Sequence, residues 1–330
     1  MEETLAKENL YEQRIDIASL NDAVITIRNE ISKVIVGQHK MVDLLLIGLL
    51  CDGHILIEGV PGVAKTLSAK LLAKIINADF SRIQFTPDLM PSDVLGTSVF
   101  NPKEAEFEFK RGPIFSNIIL IDEINRAPAK TQSALFEVME ERQITIDGTT
   151  HFMDFPFLVL ATQNPIEQEG TYRLPEAQLD RFLFKIIVTY PSIDEEINIL
   201  MNQQSVTPNI LLNNVQKLVA AAQITEYRNI INGVILEPKL VEFIAKIVNA
   251  TRNNPSLFLG ASPRASLAIL RASKANAAIK GRDFVNPEDI IEMAIPVMRH
   301  RIILAPEKEM EGISADELIN NILGNIEVPR

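Results

Sequence analysis

The stretch His54-Ile55-Leu56-Ile57-Glu58-Gly59-Val60-Pro61-Gly62-Val63-Ala64-Lys65-Thr66 decides the fold. Its first half, HILIEG (54–59), is a short apolar run that reads as a buried strand. Beyond the turn, KTLSAKLLAKII (65–76) repeats apolar residues at helical spacing. Glycine and proline fill the turn itself. Such a strand–loop–helix lets backbone N–H groups turn inward around phosphates, and the helix adds its positive N-terminal end. On this reading Gly59, Val60, Pro61, Gly62, Val63, Ala64, Lys65, Thr66 and Leu67 surround the phosphates of a nucleotide, ATP in the first instance. Lys65 reaches the β- and γ-phosphates, and Thr66 ligates Mg²⁺. One position is irregular. The pattern G-x-x-x-x-G-K-[ST] has Ala64 where its second glycine belongs. A plain turn of small residues is the competing explanation, and the surrounding chain must decide.

Downstream, four more segments read as strands: FSRIQF (80–85), NIILIDEI (117–124), FLVLATQN (157–164) and LFKIIVTY (183–190). Helical patterns alternate with them, including AKTQSALFEVMEE after Pro128. Strands alternating with helices predict a parallel sheet of five strands covered on both faces. The Pro-, Gly- and Asn-rich stretch 86–117 contains the alternation EAEFEFKRG and reads as an insert with a short hairpin. RQITIDGTTHFMDF (142–155) alternates around Asp147-Gly148, a strong hairpin signal. Upstream, Leu20, Val24, Ile27 and Ile31 recur at helical spacing, a short extended link succeeds them at Val34–Gly37, and a helix is expected over His39–Leu50. After Pro191 the pattern is helical with no clear strand, over 194–204, 212–226, 238–252, 263–280 and 287–299. The expected organisation is an α/β core over 1–193 and a smaller all-α domain over 194–330, with the boundary near 191–196.

The strand ends carry the chemistry. An apolar strand closing on Asp122-Glu123 places two carboxylates at the carboxyl edge of the sheet, where ligands of such sheets bind. Asp122 is the candidate to hold Mg²⁺ through water, and Glu123 to orient and deprotonate an attacking water. Taken alone, such a pair is more often a solvated cap. Behind a phosphate loop it is a hydrolytic signature. Asn164, at the end of LATQN, is placed to touch a γ-phosphate or its water. Arg181 in LPEAQLDRF and Arg264 in GASPRAS are candidates to stabilise transition-state charge.

Composition narrows the alternatives. The chain has 330 residues, one cysteine and a formal net charge of −11. A single cysteine excludes an internal disulfide framework, and Cys51, ending an apolar run, is expected to be a buried thiol. The acidity argues against a nucleic-acid-coating surface, which needs clustered Lys and Arg. The acidic N-terminus is unlike a secretory signal, and the longest apolar run, near Leu44–Cys51, is too short to span a bilayer. A cytoplasmic protein is expected. His39, His54, His151 and His300 show no metal-ligand spacing, and His54 and His151 read as structural.

Taken together the chain resembles the MoxR family of AAA+ ATPases, which are related to magnesium chelatase ATPase subunits. The resemblance rests on VIVGQ (34–38), GVPGVAKT (59–66), LIDEINRAPAKTQSALFEVMEERQITIDG (120–148) and ATQNPIEQEGTYRLPEAQLDRFLF (161–184). It runs from about residue 34 into GASPRA (260–265) and the helices beyond. It implies an AAA+ P-loop three-layer αβα core, an α-helical lid, and ATP at the subunit interfaces of a ring, commonly hexameric. It makes Lys65 and Thr66 Walker A residues and Asp122 and Glu123 Walker B residues. It makes Asn164 sensor 1, Arg264 sensor 2 and Arg181 the arginine finger, with Arg126 and Arg173 as rivals. It sets Val36 and Gly37 beside the adenine. It implies chaperone-like maturation of client complexes, with metal-cofactor insertion as a recurrent theme and a separate partner bearing a von Willebrand factor A domain. A magnesium-chelatase-type motor subunit, or an ATP-dependent assembly module with little turnover, are the alternatives.

Overall fold

The computed structural model describes residues 14–60, 62–164, 172, 174–205 and 212–329. The chain divides into two compact units, residues 27–221 and residues 1–26 with 222–330.

The larger unit is built on one sheet of five parallel strands in the order β2-β5-β8-β1-β9. These are β1 (His54–Gly59), β2 (Phe80–Gln84), β5 (Ile118–Asp122), β8 (Leu158–Gln163) and β9 (Phe182–Val188). The five expected strands are therefore all present. β1, β5 and β8 read as continuous apolar runs because both of their faces are covered. In β5, Ile118, Ile119, Leu120 and Ile121 have no exposed surface at all. Burial at that level contributes about 2 kcal/mol per side chain before chain entropy is counted. The residues of one face, Leu56, Ile83, Ile119, Ile121, Val159 and Ala161, pack with Leu135, Phe136 and Met139 of the helix Ala129–Glu141. The helices His39–Leu50 and Lys65–Ile75 also pack on the sheet, the first against β1 and β9, the second against β2 and β5.

Two hairpins leave this core. β3 (Gly96–Asn101) pairs antiparallel with β4 (Glu106–Arg111), and β6 (Gln143–Ile146) with β7 (Thr149–Phe152). Both fall where the alternating sequence placed them. Asp147 and Gly148 turn the second hairpin with φ of 51° and 79°.

The boundary expected near 191–196 marks a change of composition, yet the larger unit runs on to Ala221. Lys74 Nζ donates to the carbonyls of Leu212 and Asn213, and the amides of Leu218 and Val219 both donate to Ile75 O. This segment is thereby tied to the end of the helix Lys65–Ile75. It also corrects the helix expected over 212–226. The chain is non-helical at Val215–Ala220, and the long helix there is Ala221–Asn232. Cys51 needs correcting too, since it is partly exposed rather than buried.

The second unit is helical, with Pro238–Arg252, Pro263–Ile279, Pro287–Met298 and Ala315–Gly324 as its longer elements alongside Ala221–Asn232. Three of these five begin with proline at the first helical position, where the lost N–H has no partner to miss. Ala265, Ala272, Ala275 and Ala278 are fully buried on Pro263–Ile279, and their small size lets it pack closely on Pro287–Met298. The unit adds one feature that the absence of strand signals did not foreshadow. β10 (Leu257–Leu259) and β11 (Ile303–Leu304) form a short antiparallel ribbon. Strands of three and two residues are too short to show a period. Among the described residues, no helix is long and apolar enough to cross a membrane.

Candidate nucleotide site

The strand order puts the carboxyl ends of β5, β8 and β1 side by side. Among the described residues, the sequence-expected acidic and phosphate-binding ones close one of these three ends or follow it in the chain.

At the end of β1 the chain must pass close to β9. A Cβ on Gly59 would lie 2.7 Å from Val188 O, so only glycine fits. Gly62 turns with φ of 88° in open space. Ala64 precedes the helix Lys65–Ile75 with φ of 59° and ψ of 18°. The irregular alanine thus falls on a left-handed backbone position, which opposes a Cβ by about 1 kcal/mol. The loop keeps the geometry that a glycine would adopt more easily. Lys65 Nζ folds back on Gly59 O at 2.6 Å. Burial pushes its ammonium pKa down, while the charges of Asp122, Glu123 and Glu58 act in the opposite direction. Lys65 and the two acidic residues therefore share one electrostatic environment. Thr66 stands in the first turn of the helix, with Leu67 after it. Pro61 lies outside the described residues.

At the end of β5, Asp122 is buried and Glu123 adopts a left-handed backbone, φ 58° and ψ 52°. Asp122 Oδ2 accepts from Arg82 Nε at 2.6 Å, and Oδ1 accepts from Thr162 Oγ1 at 3.2 Å. The same Thr162 oxygen accepts from the amide of Glu123 at 3.0 Å. Glu123 Oε2 accepts from Gln84 Nε2 at 2.8 Å and pairs with Arg126 at 3.3 Å. Arg82 and Gln84 sit two apart on β2, so both side chains leave the same face of the strand. Thr162 comes directly after Ala161, the register partner of Ile121, and so stands opposite Asp122. Sequence reasoning misses Arg82, Gln84 and Thr162. Their one signal is polarity at the end of otherwise apolar strands.

Asn164 lies directly beyond β8, one residue past Gln163. Val36 and Gly37 lie in the link before the helix His39–Leu50. Gly37 has φ of 69°, and a Cβ there would collide with the Glu195 carboxylate. Gln38 Nε2 donates to Thr189 O at 3.2 Å. The link is thus held against the chain just after β9.

The arginines divide. Arg126 pairs with Glu123. Arg181 instead donates to Phe136 O and lies 3.9 Å from Glu140, both on the helix Ala129–Glu141. The described contacts of Arg181 do not bring it to Asp122 or Glu123. Arg264 is in the first turn of Pro263–Ile279, in the second unit, where its amide donates to the Ser262 cap at 3.2 Å. Arg173 lies outside the described residues.

The donor set suits Mg²⁺. Thr66 and Asp122 offer hard oxygens, and magnesium is ordinarily held by one or two protein oxygens with phosphates and water completing the shell.

His54 shows the structural role expected of it. It accepts from Val159 N at Nδ1, at 3.0 Å, which leaves Nε2 to donate to Met139 O at 3.1 Å. Burial first, then the nearby Arg142 charge, push its pKa down to about 3. His151 packs on the Phe109 ring at 4.5 Å, between the two hairpins.

Comparison with known proteins identifies the family. A profile of the ATPase family associated with various cellular activities (AAA) matches residues 54–184, and one of the AAA lid domain matches 249–322. The chain is 47% identical to the protein YeaC of Bacillus subtilis, over 91% of this chain and 92% of that one. It is 45% identical to the chaperone MoxR1 of Mycobacterium tuberculosis, over 91% of this chain and 81% of that one. A crystal structure from Cytophaga hutchinsonii, described as that of a candidate ATPase, superposes with a TM-score of 0.88 at 46% identity. The match covers 99% of this chain and all of that one.

Proposed function

The chain belongs to the MoxR family of AAA+ ATPases, and on that premise we propose that it hydrolyses ATP to ADP and phosphate in an oligomeric ring. The observation that carries this reading is the contiguous edge β5-β8-β1. Asp122, Glu123 and Thr162 lie on the same sheet edge as the strand whose loop leads to Lys65, which supports a phosphate site there.

In the proposed reaction Lys65 leaves Gly59 O for the β- and γ-phosphates. Its side chain is already partly desolvated, so little hydration is lost on contact. Val36 and Gly37 border the base. Glu123 accepts a proton from the attacking water as the new oxygen–phosphorus bond forms and the bond to ADP breaks. Gln84 and Arg126 both hold Oε2 of the Glu123 carboxylate, so Oε1 is the oxygen proposed to take that proton. Asn164 orients the water or the γ-phosphate. Mg²⁺, held by Thr66 and Asp122, supplies charge neutralisation on the phosphates when bound. Arg181 and Arg264 are proposed to meet developing charge. With its contacts on the helix Ala129–Glu141, Arg181 fits a role toward a neighbouring subunit better than one toward its own site.

The proposed use of this cycle is chaperone-like maturation of client complexes in the cytoplasm, with metal-cofactor insertion and a von Willebrand factor A partner as finer readings. The support is the likeness to a protein called a chaperone. Light scattering of the purified chain with ATP tests the ring, because a monomer under every nucleotide condition would overturn it. A chelatase assay with added partner subunits separates the chelatase alternative.

A further inference from the structure

β2 is an edge strand, and its charged residue has a specific target. Arg82 Nε donates to Asp122 Oδ2 at 2.6 Å, while Thr162 donates to the other carboxylate oxygen. The Asp122 side chain is 12% exposed and that of Arg82 is 50% exposed. A nearly buried carboxylate is thus paired with a guanidinium that remains half in water.

We infer that Arg82 is a positioning residue that competes with Mg²⁺ for Asp122, and so sets the Mg²⁺ concentration at which the site takes up its nucleotide. The inference rests on the proposed ATP site. A guanidinium cannot be neutralised by pH, so its charge on Asp122 is permanent while the contact lasts. A carboxylate offers about four acceptor positions. Arg82 and Thr162 use one on each oxygen, which leaves room for a water of the magnesium shell. What Arg82 removes is negative potential, the quantity a divalent cation is drawn to. Its half-exposed stem allows the guanidinium to turn into solvent without opening the core. Gln84, two residues along, makes the neighbouring contact to Glu123 without adding charge. The strand therefore restrains both acidic residues but discharges only one of them. An arginine that merely fastened the edge strand would alter stability when replaced and leave the magnesium requirement unmoved.

The test is Mg²⁺ titration of a bound fluorescent ATP analogue on the full chain, for the wild type and for Arg82→Gln, Arg82→Met and Arg82→Lys. The half-saturating Mg²⁺ concentration is expected to fall about threefold to fivefold in Arg82→Gln and Arg82→Met, the scale of a half-exposed unit charge. Arg82→Lys, which keeps the charge, is expected to stay near wild type. Two charge-removing variants guard against the loss of fold in either one, with thermal denaturation as the check. An unchanged or higher Mg²⁺ requirement, with nucleotide still bound, overturns the inference and spares the ATP reading. Absence of nucleotide binding in every protein, wild type included, overturns the ATP reading and this inference with it.

Discussion

The hydroxyl of Thr162 donates to Asp122 Oδ1 at 3.2 Å, and its oxygen accepts the Glu123 amide at 3.0 Å. One side chain on β8 therefore fixes both acidic residues at the end of β5.

Thr162→Val keeps the shape and removes both bonds. It strands the Glu123 amide, and a lost partner of that kind costs about 1–3 kcal/mol. Phosphate release is expected to fall at unchanged nucleotide affinity, and Thr162→Ser to restore much of it. Steady-state kinetics with a parallel nucleotide-binding titration check the split. Equal activity in Thr162→Val would remove Thr162 from the site.

Ala64 sits at φ 59°. Ala64→Gly relieves a strain of about 1 kcal/mol, partly offset by the freer unfolded glycine. A rise of about a degree or less in the thermal midpoint is expected, and Ala64→Val should lower it. Nucleotide affinity should rise or hold for glycine. Differential scanning calorimetry and the same binding titration measure both.

His54 titrates near 3 when folded and at its ordinary value of 6.5 when unfolded. Between those values the unfolded chain binds more protons. Its contribution to stability is whole above pH 6.5 and declines as pH falls toward 3. The loss from pH 7 to pH 5 is about 2 kcal/mol. Urea denaturation at the two pH values checks the size, and ring ¹⁵N shifts of His54 should stay constant between pH 5 and 8.

In the second unit, Asp289 has no exposed surface and takes two bonds from Arg282, at 2.8 and 2.6 Å. That pairing raises the Arg282 pKa above its ordinary value. Arg282→Ala leaves a buried carboxylate without its main counter-charge, a change that costs about 3–5 kcal/mol. Lys280, 3.7 Å from Asp289, softens the loss. Chemical denaturation that shows less than about 1 kcal/mol of change would mean the pair is dispensable.

Much of this architecture is legible in the sequence because the larger unit obeys simple periods. Three of its five strands, β1, β5 and β8, are buried apolar runs, and Asp147-Gly148 announces its hairpin. The loop at Gly59–Thr66 is legible despite Ala64, because Asp122 and Glu123 end a strand of the same sheet. The hidden part arises across strands. Arg82, Gln84 and Thr162 acquire their meaning only from the order β2-β5-β8, which no local pattern states. The short ribbon β10–β11 lacks a period, and the segment after Asn213 obeys tertiary bonds to Ile75 instead of its own helical pattern. Arg181 stands out in the sequence for its place before β9, and its bond to Phe136 O cannot be seen from there.

The central claim is that Glu123 takes the proton of the attacking water at an ATP site. Phosphate release, measured under assembled conditions for the wild type and for Glu123→Gln, tests it most directly. Steady turnover by the wild type is expected, with a loss of about a hundredfold or more in the variant, at the scale usual for a general base, with ATP still bound. Equal rates in the two proteins, or no release from either, would contradict it.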